Sequence, residues 1–271
     1  RYGKSPAIQA TKLAMPERPP NESDLESAWF GDEGVGPTWV LLHEGLGSVS
    51  TWRDFPDRLA KTLGRRVFVY SRPGYGASPP VSLPRSARYM HEAAGEIDQI
   101  LRGHGIEDVV LVGHSDGASI ATLYAGRKEG APPGLRALVG IAPHYFVESV
   151  ALTSIRAAGE AYSQGSLRAR LARHHGHNLD VAFFGWHDAW LSPEFRAWDI
   201  REALPRIVVP SLIIQGDSDE YGTLEQVRTA ERLSGGPVAT VIVEGCGHAP
   251  HRAKPEALLN ALQAFRDKMA L

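Results

Sequence analysis

Short apolar runs alternate with longer segments of helical periodicity along most of this chain. Six runs have the length and the β-branched or apolar composition of buried strands, and turn-forming residues follow each of them: residues 39–42, 67–70, 109–112, 137–141, 212–214 and 240–243. Strands that are buried on both faces are typical of parallel sheets whose connections are helices. Two weaker runs, residues 6–14 and 25–31, are candidates for leading antiparallel strands. The pattern predicts an α/β fold with a mostly parallel, eight-stranded sheet flanked by helices.

Between the strand-like runs, apolar residues recur at the spacing of amphipathic helices. Three such faces are Trp52, Phe55, Leu59 and Leu63; Met90, Ala94, Ile97 and Leu101; and Leu258, Leu262, Phe265 and Met269. Pro255 near the start of the last segment, and Gly103 and Gly105 after the second, are typical of helix starts and stops. We expect these helices to pack against the sheet.

One stretch, residues 144–204, breaks the alternation because it has no clear strand and is dense in aromatic residues: Phe183, Phe184, Trp186, Trp190, Phe195 and Trp198. We interpret it as a helical insertion after the sixth strand, so that residues 1–143 and 205–271 form the core domain. The stretch also contains four histidines: His174, His175, His177 and His187. No carboxylate accompanies them at fixed ligand spacing, so the favoured interpretation is a solvated loop rich in Arg and His, and we predict no metal.

The composition excludes several classes of function. The 271 residues fit one sizeable domain or a core with an insertion, and 29 basic residues nearly balance 31 acidic ones. Nucleic acid is not an expected partner because no basic stripe is present, and no apolar run approaches the roughly 20 residues that span a bilayer. The single cysteine, Cys246, rules out an intrachain disulfide and favours a cytoplasmic location. Residues 1–23 contain no secretory pattern, so we expect any leader to be removed or absent.

The residues Gly113-His114-Ser115-Asp116-Gly117 directly follow one strand-like run and precede a helix-like one. A G-x-S-x-G motif between a strand and a helix forms a sharp bend that lifts the serine hydroxyl clear of the backbone, and the glycines permit that bend. Ser115 would then lie at a helix N-terminus, where aligned amides favour developing negative charge, and the Asp116 amide would be an oxyanion donor. The alternative is a structural turn with an incidental serine.

A serine hydroxyl is a poor nucleophile near neutral pH, so the hypothesis requires an acid and a histidine base downstream. The predicted base is His248, in a glycine-containing loop after the final strand; His251 is a lower-ranked competitor, and a surface-loop histidine is the alternative. The acid is expected after the preceding strand, where Asp217, Asp219 and Glu220 compete. Spacing alone does not choose between Asp217 and Asp219.

A glycine-containing loop, residues 43–48, follows the strand at 39–42 with the sequence His-Glu-Gly-Leu-Gly-Ser. Glycine at this place lets a backbone amide approach a substrate oxygen, which would supply a second oxyanion donor. A plain glycine turn is the alternative. Residues 72–78, after the next strand, are predicted to form a further turn at the same end of the sheet without a role in chemistry.

Together these segments resemble the α/β-hydrolase superfamily, in its serine-nucleophile branch of esterases and carbon–carbon bond hydrolases. The resemblance extends over residues 25–270. In such proteins the acid lies in a Gly-x-x-Asp loop, and residues 216–219 match that loop with Asp219 as the acid. The resemblance therefore implies a catalytic triad of Ser115, Asp219 and His248.

The resemblance also implies an oxyanion hole and a lid. The oxyanion donors would be the backbone amides of Gly45 and Asp116, and the insertion at residues 144–204 would be the lid over the pocket. Two positions depart from the family pattern. Glu44 stands where the family commonly has glycine, and Asp116 is unusual beside the nucleophile, although a carboxylate in a first helical turn is favourable.

The expected activity is cleavage of a carboxylic ester or related acyl bond through an acyl-enzyme on Ser115. The aromatic-rich insertion suggests a small apolar or aromatic substrate, and the alternative is that those aromatics form the packing core of the lid itself. Substrate contacts are expected from Glu44, Leu46, Trp186 and Trp190. The expected partner is a small molecule, and no cofactor is implied.

Several other activities use the same three residues and stay open as alternatives. They are carbon–carbon bond hydrolysis, thioester hydrolysis, lactone opening and a cofactor-free perhydrolase activity. A small-molecule receptor with slow or no turnover is the alternative from another class, because one fold can host both enzymes and binding proteins. The sequence carries no signal for the oligomeric state.

Overall fold

A central sheet organises the chain. The structure, a computed structural model, describes residues 24–32 and 34–271. Within them lie seven strands: β1 Ser27–Phe30, β2 Thr38–Leu42, β3 Val67–Tyr70, β4 Val109–His114, β5 Leu135–Ile141, β6 Ser211–Gly216 and β7 Val238–Val243. Their order in the sheet is β1-β3-β2-β4-β5-β6-β7. Only the β1–β3 pair is antiparallel, which confirms the mostly parallel α/β sheet predicted from the apolar runs.

The two weaker strand candidates have different outcomes. Residues 25–31 contain β1, which pairs antiparallel with β3 as predicted. Residues 6–14 lie outside the described part of the chain. The described residues therefore contain seven strands, against the eight that were expected.

Helices cover both faces of the sheet. They are α1 Phe55–Leu63, α2 Tyr89–Gly103, α3 Asp116–Ala125, α4 Ser149–Gln164, α5 Leu167–His175, α6 Leu179–Leu191, α7 Glu225–Leu233, α8 Pro250–Ala253 and α9 Pro255–Met269. Successive strand residues point to opposite faces, so Leu111 packs in the core with α2 and α3, whereas Val112 packs with α1 and α9. In the described part of the chain, none of the helices combines the length and the apolar character that a membrane crossing requires.

The chain between β5 and β6 is helical, with α4, α5 and α6 followed by two short 3-10 segments. Its two ends meet, because Phe146 bridges Asp199 and the Ile200 amide donates to the Tyr145 carbonyl at 2.7 Å. The prediction of a solvated loop around the histidines is wrong for His175, which ends α5 and is buried. Within the described residues, no group of three or more His, Cys, Asp or Glu side chains could hold a metal ion.

The carboxyl ends of the parallel strands are level with one another. Pairing joins Leu42 of β2 to Gly113 of β4, His114 to Ile141 of β5, and Ile141 to Ile214 of β6. The loops after these strands therefore meet at one edge of the sheet, which is where open α/β sheets bind ligands. Gly216 of β6 pairs likewise with Val243 of β7, and the loops after β2, β4, β6 and β7 carry the predicted oxyanion donors, nucleophile, acid and base.

Candidate active site

Ser115 lies on a strained turn between β4 and α3. Its backbone angles are φ 54° and ψ −120°, a conformation that residues with side chains rarely adopt. The glycines on either side are required by close packing. A Cβ on Gly113 would lie 2.2 Å from the Gly117 carbonyl oxygen, and a Cβ on Gly117 would lie 2.1 Å from the Leu42 carbonyl oxygen. Glycine at both positions of the G-x-S-x-G motif therefore allows this turn to pack directly against β2.

Adding one methyl group at the second glycine should cost stability. We expect Gly117→Ala to lower the free energy of unfolding by about 3 kcal/mol, because the new Cβ would overlap a backbone oxygen that cannot move alone. Gly95→Ala is the matched control, since Gly95 lies within α2 and a Cβ there meets nothing within 4 Å. It should stabilise the protein by about 0.5–1 kcal/mol. Urea unfolding measures both variants, and equal effects would contradict the packing argument.

His248 is held by a buried carboxylate. Its Nδ1 lies 2.9 and 3.0 Å from the two carboxylate oxygens of Asp219, so Nδ1 carries the proton and Nε2 is left as the basic nitrogen. The Tyr221 amide donates to Asp219 at 2.8 Å, and the Gln215 amide group donates at 3.2 Å. Burial raises the pKa of Asp219, but the bond and charge of His248 and the Tyr221 amide together hold that pKa below its usual value. The carboxylate is therefore ionised and ready to stabilise an imidazolium.

The geometry separates the competing candidates for acid and base. Asp217 is exposed and accepts a hydrogen bond from the neighbouring Ser218 hydroxyl at 2.9 Å. His251 is buried, with its ring centroid 4.9 Å from that of Trp52. Neither ring nitrogen of His251 has a hydrogen-bond partner among the described residues. Asp219 is thus the carboxylate that reaches a histidine, and His248 is the histidine that it reaches.

Arg72 and His43 fix the loop that carries the predicted oxyanion amide. The Arg72 guanidinium donates to the His43 carbonyl at 2.6 Å and to the Glu44 carbonyl at 3.0 Å. His43 Nδ1 donates to the Glu44 carbonyl at 2.7 Å, and its Nε2 accepts from the Arg72 amide at 3.1 Å. Burial, followed by the charge of Arg72, lowers the pKa of His43 far below its usual value, so the ring stays neutral. Residues 72–78 had been expected to have no chemical role, and Arg72 instead positions this loop.

Removing the Arg72 side chain should lower turnover more than binding. We expect Arg72→Ala to reduce kcat by about 10–100-fold on any ester that the protein hydrolyses, because a misplaced oxyanion donor stabilises the transition state less. Arg72→Lys keeps the charge but cannot bridge both carbonyls, so its kcat should be intermediate. Steady-state kinetics give the result, and Arg58→Ala, at an exposed ion pair with Glu256, is the control. A kcat unchanged in Arg72→Ala would contradict the assignment.

Glu44 occupies the glycine position of the family pattern, and its carboxylate is paired. It lies 3.3 Å from the Arg252 guanidinium and 3.7 Å from His114 Nδ1. Burial raises the pKa of Glu44, but His114 and the charge of Arg252 outweigh that effect and lower it well below its usual value. His114 Nε2 in turn donates to the His248 carbonyl at 2.7 Å. Glu44 and His114 thus link the loop after β2 to the loop that carries the predicted base.

Asp116 is fully buried next to Ser115 and joins three elements. Its carboxylate accepts hydrogen bonds from the Tyr89 hydroxyl of α2 and from the Trp190 indole N–H of α6, the latter at 3.2 Å. The indole N–H is also 3.0 Å from the Tyr89 oxygen. Burial raises the pKa of Asp116, although the charge of Arg72 and these hydrogen bonds oppose the shift. The unusual residue beside the nucleophile therefore connects the helical segment to the core.

A cavity of about 310 Å³ opens between the strand ends and the helical segment. Ser115 and His248 line it, while Asp219 lies behind His248 with its side chain almost entirely buried. Gly45 also lines it beneath Trp186, since a Cβ on that glycine would lie 2.2 Å from the indole. All the remaining predicted site residues line the same cavity: Glu44, Leu46, Asp116, Trp186 and Trp190.

Two rings that line the cavity close to His248, those of Tyr221 and His144, were not predicted as site residues from the sequence. The ring of Tyr221 lies 4.7 Å from that of His248. The ring of His144 lies 5.7 Å from His248 and 5.2 Å from Trp190. Burial lowers the pKa of His144 to about 3, so this second imidazole is neutral near His248. The only signal in the sequence is that each follows a strand at the same edge of the sheet.

Solved structures of similar fold include hydrolases. A membrane phospholipase A, described as a bacterial virulence factor, has a TM-score of 0.73 at 23% identity, and the match covers 92% of this chain and 85% of that one. A serine hydrolase involved in carbazole degradation, the CarC enzyme, has a TM-score of 0.71 at 17% identity, covering 94% of this chain and 100% of that one. At these identities the likeness concerns the fold.

A curated sequence relative also matches most of the chain. A Synechocystis protein named "Putative non-heme chloroperoxidase" is 28% identical over 242 residues, which is 76% of this chain and 81% of that protein. Residues 39–261, most of the chain, match the model of one family. With its sheet order, its serine on a strand–helix turn and this match, the chain belongs to the alpha/beta hydrolase family.

Proposed function

We propose that the protein is a serine hydrolase that cleaves a carboxylic ester by two-step acyl transfer. His248 takes the Ser115 proton while the hydroxyl oxygen attacks the ester carbonyl. The oxyanion that forms accepts hydrogen bonds from the amides of Gly45 and Asp116, and its collapse expels the alcohol, which takes the proton from His248. Water then attacks the acyl-enzyme while His248 takes a proton from it, and collapse of the second intermediate releases the acid as that proton returns to Ser115. One observation carries the proposal: Ser115 and a His248 already hydrogen-bonded to Asp219 line one cavity.

The electrostatics of the site favour this chemistry. The ionised Asp219 opposes the positive charge that His248 gains during attack. The N-terminus of α3 begins at Asp116, so unpaired helix amides point towards the carbonyl oxygen as it becomes negative. The neutral His144 adds no positive charge that would disfavour protonation of His248.

We further propose that residues 144–204 act as a lid domain on the core formed by residues 1–143 and 205–271. Its helices supply the apolar wall of the cavity: Ala151, Ile155, Leu167, Leu171, Trp186 and Trp190. A small substrate with an apolar or aromatic group fits such a wall. The aromatic residues Phe183 and Phe195 are fully buried and form the packing core of the lid. Some aromatic residues of the lid therefore line the cavity, and others pack inside the lid itself.

A fluorophosphonate probe tests the nucleophile directly. Wild-type protein should gain one probe mass, and peptide mapping should locate it on Ser115. Ser115→Ala should not be labelled, while Ser163→Ala, which alters an exposed serine outside the cavity, should be labelled like wild type. Absence of labelling in folded wild-type protein would overturn the proposed function.

A substrate panel distinguishes the related activities. Short aryl esters, lactones, acyl thioesters, a diketone-like acid and peracid formation from hydrogen peroxide should be compared in wild type and Ser115→Ala. We expect aryl esters to have the highest kcat/KM, because the proposed mechanism is acyl transfer to water. Faster turnover of another class would identify one of the alternatives on the same residues. Saturable ligand binding without turnover of any class would identify a receptor.

A further inference from the structure

The cavity has a cationic side next to its apolar wall. Arg170 and His174 are neighbours on one face of α5, and the same helix supplies Leu171 to the apolar wall. His174 Nδ1 lies 2.9 Å from the Ser50 hydroxyl. Arg53, three residues after Ser50, also lines the cavity. One extended ligand could therefore contact apolar and cationic groups in succession.

Arg53 is held in an unfavourable backbone conformation. Its angles are φ 56° and ψ −127°, close to the φ 54° and ψ −120° of Ser115. Glycine would adopt this conformation without strain, so an arginine here carries a conformational cost. Strained residues of this kind cluster at active sites and ligand-binding sites. Two residues share this backbone conformation in the described chain at the cavity, and one of them is the proposed nucleophile.

The acidic groups of the cavity leave these arginines unpaired. Glu44 is bonded to Arg252 at 3.3 Å, and Asp116 is bonded to Tyr89 and Trp190. In the described residues, no carboxylate lies within ion-pair distance of Arg53 or Arg170. The only polar contact of the Arg170 guanidinium that the structure shows is to the Ser166 hydroxyl at 2.5 Å.

The remaining acid, Glu220, lies on the His248 side of the cavity. Its carboxylate accepts the His248 amide at 3.1 Å. The surroundings of His174 on the opposite side are consistent with a positive field. Burial first, and then the charges of Arg252, Arg173 and Arg53, lower the pKa of His174 below its usual value. The cationic side therefore has an excess of positive charge that an anion would balance.

We propose that the substrate is an ester with an anionic oxygen group, a carboxylate or phosphate, bound by Arg53 and Arg170 while its apolar segment packs on Leu171 of α5. This inference rests on the proposed function and names its substrate class. Guanidinium groups bind both anions through paired N–H donors, so the shared chemistry is an oxyanion at the end of an apolar chain.

Matched ester pairs test the charge requirement and show which side of the ester bears the anion. On the acyl side, 4-nitrophenyl hemiglutarate is compared with 4-nitrophenyl hexanoate. On the alcohol side, 4-(carboxymethyl)phenyl acetate is compared with 4-propylphenyl acetate. We expect the anionic member of one pair to have about tenfold higher kcat/KM, mainly through KM, as two partly exposed ion pairs would give. Added salt should reduce that preference.

Competitive inhibition by hexanoate and by pentylphosphonate shows whether carboxylate or phosphonate binds more tightly.

Substitutions of Arg53 and Arg170 test whether these two residues cause the preference for anionic esters. Arg53→Gln, Arg170→Gln and the double variant should lose the preference progressively, because kcat/KM should fall more for the anionic ester than for its neutral partner, and Arg53→Lys should retain part of the preference. Arg53→Gly should lose it and also raise Tm, because glycine relieves the backbone strain. Arg136→Gln, at an exposed ion pair with Asp108, is the control and should behave as wild type.

Two results would overturn the inference. One is the absence of any preference for an anionic ester in both pairs. The other is a preference that persists in the double variant. Neither depends on the nucleophile assignment, since neutral esters and probe labelling of Ser115 report on the proposed function separately.

Discussion

Replacing Asp219 with asparagine is expected to reduce kcat by about 10⁴-fold on any ester that wild type hydrolyses. The asparagine amide group can donate to Nδ1 of His248, which would place the ring proton on Nε2. A ring in that tautomer cannot accept the Ser115 proton. The variant should still fold, because the side chain keeps its size and can still accept the Tyr221 amide. Steady-state kinetics with an aryl ester give the magnitude.

Asp217→Asn is the matched control, two residues away in the same loop. Its carboxylate is exposed and contacts Ser218 and the Cys246 amide rather than a histidine. We expect its kcat to stay within about threefold of wild type, as for most surface substitutions. Comparable losses of kcat in the two variants would show that activity depends on the loop as a whole and not on the Asp219–His248 hydrogen bond.

Acid should destabilise the folded protein well above the pH at which carboxylates titrate. Burial lowers the pKa of His43, His144 and His251, in the case of His144 to about 3. The unfolded chain binds these protons near pH 6.5, so below that pH it holds more protons than the folded state and stability falls. Each histidine should lower the free energy of unfolding by about 1.3 kcal/mol between pH 7 and pH 5.5, or by about 4 kcal/mol for the three. Thermal unfolding should show Tm lower by roughly 10 °C at pH 5.5.

His251→Phe isolates one of these contributions. His251 is buried against Trp52 and Phe55, and both its ring nitrogens lack a hydrogen-bond partner in the described chain. A phenyl ring fits the aromatic surroundings and does not titrate. We expect Tm of the variant to equal or exceed that of wild type at pH 7 and to fall by about one third less at pH 5.5. An identical pH dependence would exclude His251 as a contributor.

The strands of the sheet and the turn at Ser115 could be predicted from the sequence, because local residue patterns determine both. Residues 109–112 form an unbroken apolar run since both faces of β4 are covered, and Gly113 and Gly117 frame a turn whose geometry excludes larger residues. Chain order and strand ends then predicted a base at His248, which lies at the same edge of the sheet. The choice between Asp217 and Asp219 needed the resemblance, because both follow β6 and only the loop conformation turns one of them inward.

The residues that hold the site in place could not be predicted from the sequence, because each forms hydrogen bonds with residues far away along the chain. Arg72 reaches carbonyls 28 and 29 positions away in the chain, and Tyr89 reaches Asp116 across 27. A buried polar side chain has no periodicity that distinguishes it from an exposed one. His175 shows the same difficulty, since in an Arg- and His-rich stretch it nonetheless lies buried between the Gly76 amide and the Leu46 carbonyl.

The Asp116 carboxylate has a consequence for how ligands gain access. Lifting α6 away from the core would strip the Trp190 donor from a fully enclosed acid, which costs on the order of several kcal/mol. We therefore expect α6 to stay packed on the core, and motions that admit ligand to occur in α4 and α5. Amides in α6 should accordingly exchange with deuterium more slowly than those in α5, and traffic to and from Ser115 should pass along the arginine-bearing helix.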